Sequence, residues 1–111
     1  MPRNYSVYLQ DMLEAARKVH SYTEGLTKEA FATDDRTVDA VVRNLEVLGE
    51  AAKGIPDEFR QSHPAIPWKR ISGLRDVLIH EYFGIDLDIV WDIVQNKTPP
   101  LERELRKLLI P

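Results

Sequence analysis

Apolar residues recur at helical spacing along almost the whole chain. Tyr5, Tyr8, Leu9, Met12, Leu13, Ala16 and Val19 follow the i, i+3, i+4, i+7 pattern and predict an amphipathic helix over residues 4–22. His20 closes that stripe and reads as a structural residue. Gly25 breaks the chain, and Thr27 caps a short helical turn that carries Phe31. Asp34 reads as the N-cap of a long helix over residues 35–54, with Asp35 favourable to its dipole. Its stripe is Val38, Val41, Val42, Leu45, Leu48, Ala52 and Ile55; Gly54 ends it and Pro56 prevents continuation. Glu46 and Glu50 form an i, i+4 carboxylate pair off that stripe, and no histidine stands at metal-ligand spacing beside them, so they read as a solvated or interface face.

The second half is less regular. Residues 56–67 read as an irregular stretch, with Pro56, Pro64 and Pro67 bracketing the apolar anchor Phe59. His63 precedes Pro64, which biases it away from the α region, and it reads as a loop residue. Pro67 marks the entry to a further helix, with Trp68 as a core anchor rather than a base-stacking platform. From Gly73 to Gly84 the apolar residues Leu74, Val77, Leu78 and Ile79 alternate with Arg75, Asp76, His80 and Tyr82, which predicts an amphipathic helix C-capped by Gly84. Asp86 then caps a helix over residues 87–96 that is apolar nearly all round, and Thr98 caps a last helix opening on Pro99-Pro100. No strand signal and no internal repeat stands out. The pattern predicts an all-α fold, a small antiparallel helical bundle. Its apolar surplus, on the helix over residues 87–96 above all, predicts a homodimer.

Length and composition narrow the class. The 111 residues suit one domain, and 43% hydrophobic with 30% charged residues is ordinary for a globular protein. The absence of cysteine rules out disulfides and thiolate metal sites and fits a cytoplasmic home. No apolar run follows the N-terminal residues to suggest a secretory signal, and no stretch is long enough to span a membrane. The net charge of −3 does not advertise a nucleic-acid binder. Its distribution qualifies that reading. Residues 53–75 carry five Lys/Arg (Lys53, Arg60, Lys69, Arg70, Arg75) against two acids (Asp57, Glu58), whereas the segments on either side are acidic. Such a patch can attract phosphate.

The segment just past that patch holds the candidate chemistry. Arg75, His80 and Tyr82 offer a cation, a proton carrier for neutral pH and a phenol, which phosphodiester chemistry without a metal would need. On one straight helix Asp76 and His80 would be i, i+4 neighbours, so Asp76 would orient the imidazole. His80 would lie about 140° around from Arg75, and Tyr82 roughly 10 Å along the axis. The three could not meet on one small group. Either the helix ends near His80 or a second surface completes the site, and a homodimer brings a second motif beside the first. Cleaving RNA without a metal takes a base for the 2′-hydroxyl, an acid for the 5′-oxygen and positive charge for the phosphorane. Two copies of Arg75 and His80 would supply them, with Lys69 and Arg70 as possible RNA phosphate contacts. A binding module, in which Arg75 and Lys69 hold nucleotide phosphates or a partner surface, competes with this reading. So does a purely structural helix with Arg75 in a buried ion pair.

Arg75, four residues, His80, Glu81 and Tyr82 match in spacing the motif of the HepT-like toxins in the HEPN superfamily, which this sequence resembles. The segments Arg43-Asn44-Leu45-Glu46, Gly49-Glu50-Ala51, Ile66-Pro67-Trp68 and Phe83-Gly84-Ile85-Asp86 are also similar, so the resemblance covers nearly the whole chain as a single domain, residues 1–111. It implies an all-helical dimer that acts as a metal-independent ribonuclease toxin, with Arg75 and His80 as the catalytic pair and no cofactor. It also implies an antitoxin similar to minimal nucleotidyltransferases, which transfers AMP to the motif tyrosine, here Tyr82. In the non-catalytic alternative the chain is a nucleotide- or partner-binding subunit of a nucleotidyltransferase complex.

Overall fold

The computed structural model describes residues 5–80 and 84–109, with residues 79 and 80 described by their backbone alone. Two long helices form its frame, α1 (Ser6–Thr23) and α3 (Asp35–Lys53), joined by the short α2 (Lys28–Ala32). Leu9, Met12, Ala16 and Val19 of α1 are buried against Val41, Leu45, Leu48 and Ala52 of α3, the two stripes the spacing predicts. His20, by contrast, is exposed. Both predicted caps form: Thr27 accepts from the Ala30 N–H at 3.1 Å, and Asp34 from the Thr37 N–H at 3.1 Å.

The stretch after α3 departs from the irregular reading. Residues Asp57–Ser62 form a helix, α4, with Pro56 at its N-cap and Asp57 and Glu58 in its first turn, where their charges suit the helix dipole. At six residues it is too short to show a stripe. Arg60 reaches back from it to the C-terminal end of α3, donating to the carbonyls of Ile55 (2.9 Å), Ala52 (3.0 Å) and Lys53 (3.2 Å). The last carbonyls of a helix have no partner within it, so a guanidinium is well placed there. Phe59 stacks on the His63 ring at 4.2 Å, and the Trp68 indole N–H donates to the His63 carbonyl at 2.9 Å. His63 is therefore structural. Its φ of −131° and ψ of 63° lie outside the α region, as the following Pro64 requires.

The motif segment differs most from its prediction. Instead of one helix running to Gly84, it contains α5 (Trp68–Ser72), a break at Gly73 and α6 (Leu74–Leu78). Beyond Leu78 the backbone becomes extended: β1 (Ile79–His80) pairs antiparallel with β2 (Gly84–Ile85), Ile79 opposite Ile85 and His80 opposite Gly84. The Leu78 carbonyl accepts from the Asp86 N–H at 3.4 Å, so a group that would have bonded forward along a helix bonds across the pair instead. Gly84 has φ of +77° and is a strand residue with left-handed backbone, not a helix C-cap. Leu74, Val77 and Leu78 keep helical periodicity to the boundary, and β-branched Val77 and Ile79 favour extension, which explains why spacing alone overran it.

The C-terminal part corrects a second expectation. Asp86 caps α7 (Leu87–Asp92) as predicted, accepting from the Asp88 and Ile89 N–H groups at 3.1 and 3.2 Å. Thr98, however, starts no separate helix. A π-helical turn, Ile93–Lys97, carries α7 directly into α8 (Thr98–Leu109). Pro99 and Pro100 lack N–H groups, and a proline ring inside an α-helix collides with the carbonyl four residues back. The widened turn makes room: the Thr98 N–H bonds the Ile93 carbonyl five residues back, and its hydroxyl donates to the same oxygen at 3.0 Å. The nearly all-apolar face of this segment is mostly covered by its own chain. Val90, Ile93 and Val94 are buried, and Trp91 packs on Phe31 with centroids 5.2 Å apart. The large apolar side chains left exposed near the motif are instead Val77 and Ile85.

Candidate active site

On α3, Arg43, Glu46 and Glu50 stand three and four residues apart, on the side away from the buried stripe. Together with Tyr8 and Asp11 of α1 and Arg75 of α6 they line an open groove of about 720 Å³. That size suits a nucleotide-sized ligand. The position of Arg75 follows from the packing of its helix pair on α3. Gly49 lets the backbones approach so closely that a Cβ there would lie 2.9 Å from the Ile71 carbonyl oxygen. The adjoining α6 is held by buried Leu74 and Leu78, which leaves Arg75 and Asp76 exposed.

Polar partnering within the groove is uneven. Glu50 is salt-bridged to Lys53 at 3.2 Å. Arg43, Glu46 and Arg75 form no hydrogen bond or ion pair with a described residue. Arg75 is exposed, so it is not the buried arginine that a purely structural helix would hold. An exposed guanidinium at the lip of a groove is available to a phosphate.

The other predicted residues fall in three places. His80 follows Arg75 on β1, where only its backbone is described, so the helical i, i+4 relation of Asp76 to His80 is not present. Tyr82 lies outside the described residues. Lys69 and Arg70 border a different groove of about 550 Å³, whose apolar wall includes Leu48, Leu74, Val77 and Leu101. The structure does not gather them around Arg75. Arg43 and Tyr8 were missed as groove residues: Tyr8 sits in an apolar stripe, and Arg43 on what looks like a solvated face. The spacing of Arg43, Glu46 and Glu50 was the available signal. Among the described residues no group of three or more His, Asp or Glu side chains is placed to hold a metal ion, and no helix is long and apolar enough to cross a membrane.

Arg75, without a partner among the described residues, stands on this groove five residues before His80; comparison with known proteins shows the family. The family model for HepT-like ribonucleases matches residues 12–108. The chain belongs to the HepT-like ribonuclease family. A protein of Methanocaldococcus jannaschii named "Putative RNase" is 42% identical over 110 residues, 98% of this chain and 91% of that protein. A "Probable ribonuclease HepT" of Thermococcus cleftensis is 41% identical over 108 residues, 97% of this chain and 98% of that one. A further "Putative RNase", of Caldanaerobacter subterraneus subsp. tengcongensis, is 40% identical over 102 residues, covering 92% and 91% of the two chains. No solved structure matches the chain significantly. The resemblance read from Arg75, His80 and Tyr82 is therefore borne out as to family, and so is the all-α, HEPN-like fold. Within this HepT-like chain the two-strand pair is a local departure that ends the motif helix at Leu78.

Proposed function

We propose that this HepT-like chain is a cytoplasmic, metal-independent endoribonuclease that works as the toxin of a toxin–antitoxin pair. The observation that carries the reading is Arg75: exposed, unpaired with any described residue, at the lip of a nucleotide-sized groove and five residues before His80. In the reaction, one His80 takes the proton of the RNA 2′-hydroxyl as O2′ bonds to phosphorus. The P–O5′ bond breaks, and the departing oxygen receives a proton from a second His80. Arg75 holds the charge of the pentacoordinate phosphorus. A 2′,3′-cyclic phosphate and a 5′-hydroxyl result.

One chain has one motif histidine, so a separate base and acid call for a homodimer, with residues 1–111 acting as one domain in each protomer. Val77, 46% exposed, and Ile85, 36% exposed, flank the motif and support self-association there. Asp76 serves as a supporting carboxylate near the motif, and Lys69 and Arg70 extend the positive surface along the RNA. A minimal nucleotidyltransferase antitoxin silences the toxin by placing AMP on Tyr82, whose added phosphate competes with RNA for Arg75. The test is cleavage of RNA by Arg75→Ala and His80→Ala variants with their helical content checked by circular dichroism. Folded variants that have lost cleavage support the assignment. Cleavage close to that of the unmodified chain in either variant transfers the role of the groove to binding alone.

A further inference from the structure

The groove beside Arg75 contains more than a phosphate clamp requires. A surface built only for a polyanion would exclude carboxylates, yet this one places half-buried Glu46 between Arg43 and Glu50 on the same face of α3. Glu50 is offset by its ion pair with Lys53, whereas Glu46 has no partner among the described residues. A carboxylate beside RNA repels the backbone unless it meets a donor, and the donors RNA offers are the edges of its bases and its 2′-hydroxyls. Tyr8 of α1 lines the same groove. One side of its ring packs on Gly54 at the end of α3, where an added Cβ would come within 2.8 Å of three ring atoms.

A carboxylate has two acceptor oxygens and no proton to give. Guanine alone presents two adjacent N–H donors, N1–H and N2–H, along its Watson–Crick edge. Adenine, cytosine and uracil each place an acceptor beside their donor, which a carboxylate would repel. We infer that the groove is a guanine-reading subsite next to the scissile phosphate, with Glu46 accepting from the base edge, Tyr8 walling the ring and Arg75 on the adjoining phosphate. The inference rests on the ribonuclease reading for its substrate and adds the base that the site selects.

The experiment uses the full chain and short oligoribonucleotides with one cleavable link, varied through all four bases on each side of it. Binding is followed separately on 2′-O-methyl versions, which lack the attacking hydroxyl. The unmodified chain is expected to favour guanine on one side by about 10- to 100-fold, the discrimination a bidentate base contact gives. Glu46→Gln places a donor where an acceptor stood and is expected to bring that preference to within a few fold. Glu104→Gln, a carboxylate on α8 outside the groove, is the control and is expected to keep the preference. Equal cleavage of all four bases, or a guanine preference that survives Glu46→Gln, overturns the subsite. Guanine-selective binding without any cleavage overturns the ribonuclease reading and leaves the subsite standing. Cleavage without selectivity does the reverse. Weakened self-association in Glu46→Gln, with base preference unchanged, shows that the carboxylate serves the dimer and also overturns the proposal.

Discussion

Gly49→Ala tests how the fold positions the site. In an ordinary exposed helix this substitution stabilises by about 1 kcal/mol, because alanine is the better helix former. Here the new methyl carbon would stand 2.9 Å from the Ile71 carbonyl oxygen and 3.7 Å from the Leu74 Cβ. Ordinary carbon–oxygen contacts run at roughly 3.3–3.6 Å, so α5 would have to retreat from α3 by about 0.4–0.7 Å. The obstacle is backbone and cannot swing aside. Overpacking of this kind costs about 1–3 kcal/mol. Subtracting the propensity gain leaves a net loss of about 0–2 kcal/mol, which in a domain of this size is a fall in Tm of up to roughly 8 °C. Gly73→Ala is the control, since its nearest neighbour, the Lys69 carbonyl oxygen, would be 3.5 Å from the new carbon.

The assay is a thermal melt by circular dichroism together with RNA cleavage by the folded protein. Because α6 carries Arg75 and follows α5 directly, cleavage in Gly49→Ala is expected to fall well before the fold is lost. Misplacement by about 1 Å can cost on the order of 100-fold in rate. A Gly49→Ala protein that melts about 4 °C higher and cleaves at the unmodified rate would refute the claim that this contact sets the site.

Three further outcomes are expected. Arg60→Ala should destabilise by about 1–2 kcal/mol, less than three full charged hydrogen bonds because water reaches part of the guanidinium; a denaturant midpoint unchanged from the parent would contradict its role as the cap of α3. Light scattering at micromolar concentration should give a dimer, reduced to monomer by Val77→Asp; a monomeric parent would remove the two-histidine site. Intact mass after co-expression with a minimal nucleotidyltransferase should show added AMP, lost in Tyr82→Phe and retained in Tyr5→Phe; an unmodified mass with toxicity still neutralised would mean that the antitoxin acts by binding.

What could be read beforehand tracks the length and physical simplicity of each element. The frame helices α1 and α3 were legible because each buries one long stripe. The caps Thr27, Asp34 and Asp86 were legible because a short polar side chain before an apolar run has few other uses. The continuity of α7 with α8 was hidden because Pro99-Pro100 usually marks a helix start, and only the π-turn reconciles it with a helix interior. The end of the motif helix was hidden because Leu74, Val77 and Leu78 preserve helical spacing up to the residue where pairing with β2 takes over. Arg75, singled out by its spacing to His80, is one of the residues that line the groove. Arg43, Glu46 and Tyr8 were not legible there, because they reach one groove from two helices that only tertiary packing brings together.

The most direct test of the central claim is the chemistry of the product ends. A single RNA cut by the purified chain in excess EDTA should carry a 2′,3′-cyclic phosphate upstream and a 5′-hydroxyl downstream, with His80→Ala slower by about 10²–10⁴. Cleavage that appears only when Mg²⁺ is supplied, or downstream products bearing 5′-phosphates, would contradict attack by the 2′-hydroxyl under histidine and arginine control.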